Sequence, residues 1–364
     1  MIHHEFYMKR ALELAEAGWG RTNPNPLVGA IIVKDGQIIA EGFHEASGRA
    51  HAEVVAIQKA KQDIKGSTLY VNLEPCSHYG RTPPCAKAII EAGFAKVVIA
   101  MVDPNPKVSG KGIQMLKEAG IEVTVGVLQE EAQKLNEIFV EYITKKKPFV
   151  ILKAASTLDG KIASYSGDSK WISGDSSRRY VHRIRQRVAA IMVGINTVLR
   201  DNPLLTARYE GIECKNPIRI IVDSQGRIPE DSRVLAVPSG SLTILATTSK
   251  ISSTKEAILK AKGVSIIKVD GVDGRVDLVQ LMRELTKLEI DSVLLEGGGT
   301  LNASALEAGI VKKVMFFVAP KIIGGRAALT AVEGVGRELI QDSILLKNIT
   351  VEKLAEDILI EGYL

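Results

Sequence analysis

The feature that most restricts the 364-residue sequence is His51-Ala52-Glu53, followed by Pro75-Cys76 and, after eight intervening residues, Cys85. Zinc takes imidazole nitrogen and thiolate sulfur, and a catalytic zinc keeps one of its four positions for water. One histidine and two cysteines supply the other three. All three fall where the apolar periodicity changes. It predicts a helix over 51–61, a buried strand over 68–73 and a second helix over 85–92, entered through Pro83-Pro84. His51 opens its helix, so its ring can project from the tip. Cys85 falls in a first turn, where the helix dipole favours an anionic sulfur.

Glu53 lies two residues beyond His51. A free carboxylate beside a metal-activated water can take a proton and deliver it to a leaving amine. The set matches the H-x-E…P-C-x-x-C pattern of zinc deaminases, in which the glutamate is acid/base and not a ligand. One departure is plain: eight residues, not two, separate the cysteines. A lone buried cysteine is usually a small hydrophobe, and a lone helical histidine is usually structural. The combination in strand–loop–helix context is what points to a metal. His78 competes as a ligand but sits in the insert. Cys214 has no partners at ligand spacing and reads as a bystander.

At 46% apolar and 24% charged residues, the composition is globular and the length suits two domains with cores of their own. Three cysteines are too few for a disulfide framework, which favours a reducing compartment. Forty-seven basic against 42 acidic residues is too balanced for a general nucleic-acid binder, though compatible with a local anion site. Met1-Ile2-His3-His4-Glu5-Phe6 has no signal-peptide core, and the longest apolar run is strand-sized. A cytoplasmic protein is expected.

Helical spacing runs over 7–17, and Lys34-Asp35-Gly36 predicts a hairpin turn between apolar runs. Strands are predicted at 96–102 and 122–125, and helices at 112–119 and, as one long element, 129–144. Lys145-Lys146-Lys147-Pro148 breaks the pattern and reads as a solvated connector. It divides the chain into domains 1–146 and 147–364. The alternation restarts at 149–155. Helices are then predicted at 176–187, 253–262, 276–288 and 301–308. Strands are predicted at 190–193, 218–222, 242–246, 264–269, 292–295 and 314–318, before a terminal hairpin over 344–364. Both domains read as α/β.

Thr22-Asn23-Pro24-Asn25-Pro26-Leu27-Val28-Gly29 reads as a turn into the hairpin. Its asparagine amides also suit a pyrimidine edge, and Asp103-Pro104-Asn105-Pro106 repeats that chemistry. Asn23 and Asn105 are thus substrate candidates, with His44 and Arg81 as positive charge for a substrate phosphate. Together, segments 22–29, 51–53, 75–85 and 103–106 resemble the deaminase domain of the bacterial bifunctional riboflavin-biosynthesis deaminase-reductases. In that family the eight-residue cysteine spacing is normal. The resemblance extends over the full chain.

In the second domain, Leu295-Glu296-Gly297-Gly298-Gly299-Thr300-Leu301 follows a predicted strand and opens a helix, where backbone N–H groups can approach a phosphate. It is not a Rossmann GxGxxG. Segments 153–161 and 193–203 each read as a strand running into a polar loop. The three segments resemble the reductase domain of the same family, whose fold is like dihydrofolate reductase and which uses NADPH. The resemblance implies an NADPH site lined by Ala155, Trp171, Thr197, Asp201 and Ser224, with Gly298, Gly299, Thr300, Leu301, Asn302, Ala303 and Ser304 around the diphosphate. It implies that Ser169, Arg185, Leu205, Arg208 and Glu296 hold the phosphorylated substrate. Arg185 and Arg208 can fork onto a phosphate, and Lys153 and Glu296 are candidates to manage protons during hydride transfer. Arg200 and Arg227 are candidates for a 2′-phosphate.

The implied architecture is a cytidine-deaminase-like domain followed by a dihydrofolate-reductase-like domain, with one zinc ion per chain and NADPH. The implied activity is zinc-dependent hydrolytic deamination of 2,5-diamino-6-(5-phosphoribosylamino)pyrimidin-4-one, then NADPH-dependent reduction of the ribosyl group to ribityl. The expected partner is that small phosphorylated pyrimidine, not nucleic acid or membrane, and a homo-oligomer is expected. Two alternatives stand beside this. A nucleic-acid base deaminase with an appended binding domain needs a basic channel interleaved with aromatics, but aromatics are 5% and form no such cluster in the sequence. A structural zinc module has no use for Glu53.

Overall fold

The computed structural model describes residues 2–78, 83–106, 108–208, 215–236 and 240–364. The chain divides into two units, Met1–Lys146 and Lys147–Leu364.

The first unit runs α1 (Ile2–Glu16), β1 (Gly29–Lys34), β2 (Gln37–Phe43), α2 (Ala52–Lys59), β3 (Thr68–Leu73), α3 (Cys85–Glu91), β4 (Lys96–Met101), α4 (Lys111–Glu118), β5 (Glu122–Val125), α5 (Gln129–Leu135) and α6 (Glu137–Lys145). The sheet order is β2-β1-β3-β4-β5, antiparallel on the hairpin side and parallel across β3, β4 and β5. Strands β3 and β4 are near-continuous apolar runs because helices cover both faces of the parallel part. The Asp35-Gly36 turn joins β1 and β2 as expected.

One expectation fails here. The helix over 129–144 is two helices, broken at Asn136 (φ −101°, ψ 19°). Asn136 is 2% exposed. Its Oδ1 accepts from Leu27 N at 2.8 Å, and its Nδ2 donates to Leu27 O at 3.0 Å. The side-chain amide thus satisfies the backbone leading into β1, and this tertiary bond overrides helical periodicity.

The second unit runs β6 (Phe149–Thr157), α7 (Asp175–Arg187), β7 (Ala190–Gly194), α8 (Ile195–Asp201), β8 (Ile218–Val222), β9 (Thr243–Thr247), α9 (Ser253–Ala261), β10 (Ser265–Lys268), α10 (Leu278–Lys287), β11 (Ser292–Leu295), α11 (Gly299–Glu307), β12 (Val311–Ala319), β13 (Lys347–Leu354) and β14 (Asp357–Tyr363). Nine strands form one sheet in the order β10-β9-β8-β7-β11-β6-β12-β14-β13. All neighbours are parallel up to β12, and the C-terminal hairpin adds antiparallel. This is the dihydrofolate-reductase-like arrangement expected. Helix α8 replaces part of the expected polar loop: Ile195 and Val198, three apart, bury one short face that seven residues of mixed polarity conceal.

Candidate active sites

In the first unit the predicted metal ligands converge at the carboxyl ends of the parallel strands. β3 delivers Glu74-Pro75-Cys76, and α2 and α3 begin beside it. His51 is the N-cap of α2 with extended backbone, and Cys85 is the first residue of α3. His51 Nδ1 lies 3.2 Å from Cys85 Sγ and 3.5 Å from Cys76 Sγ, and the three ligand atoms lie within 4.8 Å of one another. Zinc–sulfur bonds of about 2.3 Å and zinc–nitrogen bonds of about 2.1 Å place tetrahedral ligand atoms roughly 3.6–3.8 Å apart. Donor set and spacing both fit zinc. His78 is exposed and outside this group. Arg81 and Cys214 lie outside the described residues.

The Cys76 thiol is pulled down to about 4, first by its hydrogen bond with Cys85 and then by His51 and the Cys85 backbone N–H at 3.2 Å. The same side-chain bond, with burial, pushes Cys85 up. The first N–H of α3 therefore serves the sulfur of Cys76, and the sulfur favoured as an anion is that of Cys76, whereas the helix dipole was expected to favour an anionic Cys85. Glu53 is 3% exposed in the first turn of α2. Burial raises its carboxyl above the ordinary range, against the pull of His51.

His44 does not fit the expected role of a phosphate-binding cation. Its Nδ1 faces Ala50 O at 3.1 Å, so that nitrogen donates; Asn25 Nδ2 at 3.3 Å then donates to Nε2. Burial lowers its pKa, leaving a neutral ring edge-on to His51 with centroids 5.4 Å apart. Asn23 and Asn105 are half-buried, on the loops before β1 and after β4.

In the second unit a cavity of about 970 Å³ opens at the carboxyl ends of the neighbouring strands β6, β7 and β11, the usual ligand position in such a sheet. Lys153, Ala155, Ser169, Trp171, Arg185, Thr197, Asp201, Leu205, Arg208, Glu296, Gly298, Gly299, Thr300 and Asn302 all line it. Ser224 does not. Its hydroxyl accepts from Val276 N at 3.1 Å and its carbonyl from Thr248 Oγ1 at 2.6 Å, tying loops together. Leu301, Ala303 and Ser304 lie inside α11 and do not line it either; Leu301 and Ala303 are buried. The cradle is thus the start of α11 at 297–300. The Oδ1 of Asn302, 1% exposed, has no partner among the described residues. Glu333 packs against that terminus, its Oε2 accepting from Thr300 Oγ1 at 2.7 Å, so the fit to a dinucleotide rests on the cavity volume and on the Asn302 acceptor, which a ribose hydroxyl can satisfy.

Two further expectations change. Arg185 does not hold its fork free for a phosphate: Nε and Nη2 donate to the two oxygens of Glu296, and Nη1 donates to Thr206 O at 3.1 Å. Glu296 is tied up in ion pairs with Arg185 and Lys153. Burial alone would raise its carboxyl, but Arg185 and Lys153 pull it to about 2. Lys153 Nζ, 3.8 Å from Glu296, is the group whose pKa burial lowers. Sequence reasoning missed His182 and Arg178, both on α7 and in the cavity wall; the Arg178 guanidinium lies 4.7 Å over the Trp171 ring. The signal was present as Arg178, His182 and Arg185 at i, i+4 and i+7, a face that reads equally as solvated charge. Arg200 also lines the cavity, whereas Arg227 donates to Asn196 Oδ1 at 3.2 Å.

Comparison with known proteins agrees with both halves. Residues 1–101 match the cytidine and deoxycytidylate deaminase zinc-binding region, and residues 148–360 match the RibD C-terminal domain. The riboflavin biosynthesis protein RibD of Actinobacillus pleuropneumoniae is 48% identical over 98% of this chain and 94% of its own length. That of Escherichia coli (strain K12) is 41% identical over 90% of each chain. A crystal structure of the diaminohydroxyphosphoribosylaminopyrimidine deaminase/5-amino-6-(5-phosphoribosylamino)uracil reductase from Thermotoga maritima superposes with a TM-score of 0.88. It is 42% identical and covers 99% of this chain and 98% of that one. The chain belongs to the RibD family of bifunctional riboflavin-biosynthesis deaminase-reductases.

Proposed function

We propose that residues 1–146 deaminate 2,5-diamino-6-(5-phosphoribosylamino)pyrimidin-4-one and that residues 147–364 reduce the deaminated product with NADPH. The observation that carries the first step is the convergence of His51, Cys76 and Cys85 with buried Glu53 beside them. Zinc held by those three atoms supplies the Lewis acidity that makes water nucleophilic at neutral pH. Glu53 takes the proton that water gives up as its oxygen bonds to the amino-bearing ring carbon. It hands that proton to the amine as the C–N bond breaks, and ammonia leaves. The 103–106 turn, with Asn105, faces the pyrimidine.

In the second step NADPH supplies a hydride to the ribosyl C1′, with the ribose ring opened to its imine. Lys153, cationic and partly desolvated, delivers the balancing proton to the nitrogen. Ionised Glu296 orients Lys153 and Arg185 and accepts from substrate hydroxyls. Arg208, exposed at the cavity wall, takes the substrate phosphate. The start of α11 and the Trp171–Arg178 stack, both in the cavity wall, would hold the cofactor. The protein works as a homo-oligomer. No helix among the described residues is long and apolar enough to cross a membrane.

The test incubates the purified zinc protein with the diaminopyrimidine phosphate, following ammonia and nicotinamide absorbance separately. Ammonia is expected without NADPH, and NADPH oxidation only after deamination. Ammonia release that requires NADPH, or neither signal, defeats the reading.

A further inference from the structure

Glu74 sits between β3 and Cys76 and is 3% exposed. Four backbone N–H groups donate to its carboxylate, two to each oxygen. Gly112 at 2.9 Å and Ile113 at 3.3 Å meet Oε1; Gly110 at 2.9 Å and Asp103 at 3.2 Å meet Oε2. Two of these belong to the first turn of α4 and a third to its N-cap, Gly110, which offers no side chain. The approach is close: a Cβ on Gly112 would lie 2.0 Å from Pro75 O. The fourth N–H extends the chain of bonds, because Asp103 Oδ1 accepts from Asn105 N at 2.8 Å. One carboxylate thus ties the loop bearing Cys76 to the turn bearing Asn105.

We propose that Glu74 is a positioning residue of the hydrolytic site, fixing the 103–106 turn against the metal-binding loop so that the turn meets the pyrimidine. This rests on the deaminase reading above. An ionised carboxylate accepts at about four lone-pair sites and donates nothing, so it matches four converging donors. A glutamine of the same shape keeps one acceptor oxygen and turns an NH₂ toward the remaining N–H groups, leaving buried donors unpaired. The turn then populates other arrangements. The substrate binds only the competent fraction, so the apparent KM rises as that fraction falls. His51, Cys76 and Cys85 keep their atoms, so metal stays bound.

The test compares the zinc-loaded full chain with Glu74→Gln and Glu74→Asp. It measures metal per chain, the visible spectrum of the cobalt-substituted protein, KM and kcat for ammonia release, and amide hydrogen exchange at 103, 110, 112 and 113. Glu74→Gln is expected to raise KM by about tenfold or more with kcat within roughly threefold, with an unchanged cobalt spectrum and faster exchange at the four amides. Glu74→Asp, which keeps the charge, falls between. An unchanged KM overturns the proposal, whether metal is retained or lost; so do unchanged amide rates. If the glutamine variant does not fold, the aspartate variant decides by the same readouts. If the wild type releases no ammonia, the reaction reading fails, and the amide rates alone decide the role of Glu74.

Discussion

Arg185 and Glu296 form a two-pronged pair, Nε to Oε1 at 2.6 Å and Nη2 to Oε2 at 2.9 Å, with Lys153 Nζ 3.8 Å from the same carboxylate. The three side chains are at most 16% exposed. A single anion therefore compensates two desolvated cations. Glu296→Gln leaves both without a counter-charge, and breaking such a buried pair costs about 3–5 kcal/mol. For a unit of this size the thermal transition is expected to fall by roughly 6–20 °C. Calorimetry of the full chain checks this: the transition of the reductase unit moves and that of the deaminase unit does not.

The same wall sets an acid sensitivity. Burial, then the charges of Arg185 and Arg208, lower His182 to about 4 from an ordinary 6.5; Glu296 is held at about 2 against an ordinary 4.5. In both cases the unfolded chain takes up its proton at higher pH than the folded one, so stability rises with pH across each window. Acidification is expected to weaken the reductase unit first between about pH 6.5 and 4 through His182, then between about 4.5 and 2 through Glu296. Denaturant midpoints measured across that range should show His182→Gln losing the upper part of the slope and keeping the lower. A slope unchanged in the variant contradicts the assignment to His182.

Glu53 and its three neighbours separate chemistry from metal binding. On the proposed role of Glu53 as proton carrier and not ligand, Glu53→Gln should lower ammonia release by about 10²–10⁴-fold with zinc still bound. Cys85→Ser should lose the metal as well as the activity. Prolonged chelation should abolish ammonia release yet leave NADPH oxidation with the deaminated substrate intact. A chelated protein that has lost both reactions breaks the assignment of zinc to the first step alone.

The metal triad was legible in the sequence because its spacing is local to strand ends and helix starts: 51, 76 and 85 each abut a periodicity change. Most sheet strands were legible for the same reason, since a strand buried on both faces is a short apolar run between turns. Glu74 was not legible, because its partners are backbone N–H groups, and these have no side-chain signature. The Arg185–Glu296 pair spans 111 residues, so two charges that read as phosphate ligand and proton carrier turn out to satisfy each other. His44 failed similarly: exposure and tautomer decide whether a histidine is a cation, and both come from the fold.

Asn136 shows the same limit and carries its own prediction. It lies within a helical pattern, and the helix breaks where its amide bonds Leu27, 109 residues away. Asn136→Leu keeps the volume and raises helix propensity, but strands a buried N–H at the entry to β1. At about 1–3 kcal/mol per unsatisfied group, chemical unfolding of the deaminase unit should shift to lower denaturant, although local helicity rises. Equal or greater stability would show that Asn72, whose Nδ2 also donates to Leu27 O at 2.9 Å, holds the segment alone.

The C-terminal edge bears on assembly. β13 ends the nine-stranded sheet, and all but its last residue are exposed. Ile349 and Val351, two apart and so on one face, are 58% and 67% exposed, and Leu345 and Ile340 nearby are 79% and 91% exposed. An apolar edge strand is a template for pairing, and soluble proteins cover or charge such edges. A second copy would cover it at the least cost in new design, because a two-fold axis lets one patch serve both partners. Light scattering is expected to give at least twice the mass of one chain. Ile349→Lys with Val351→Glu should return it to one chain while ammonia release persists. A wild-type mass of a single chain at micromolar concentration would leave this edge bare and rule out the homo-oligomer.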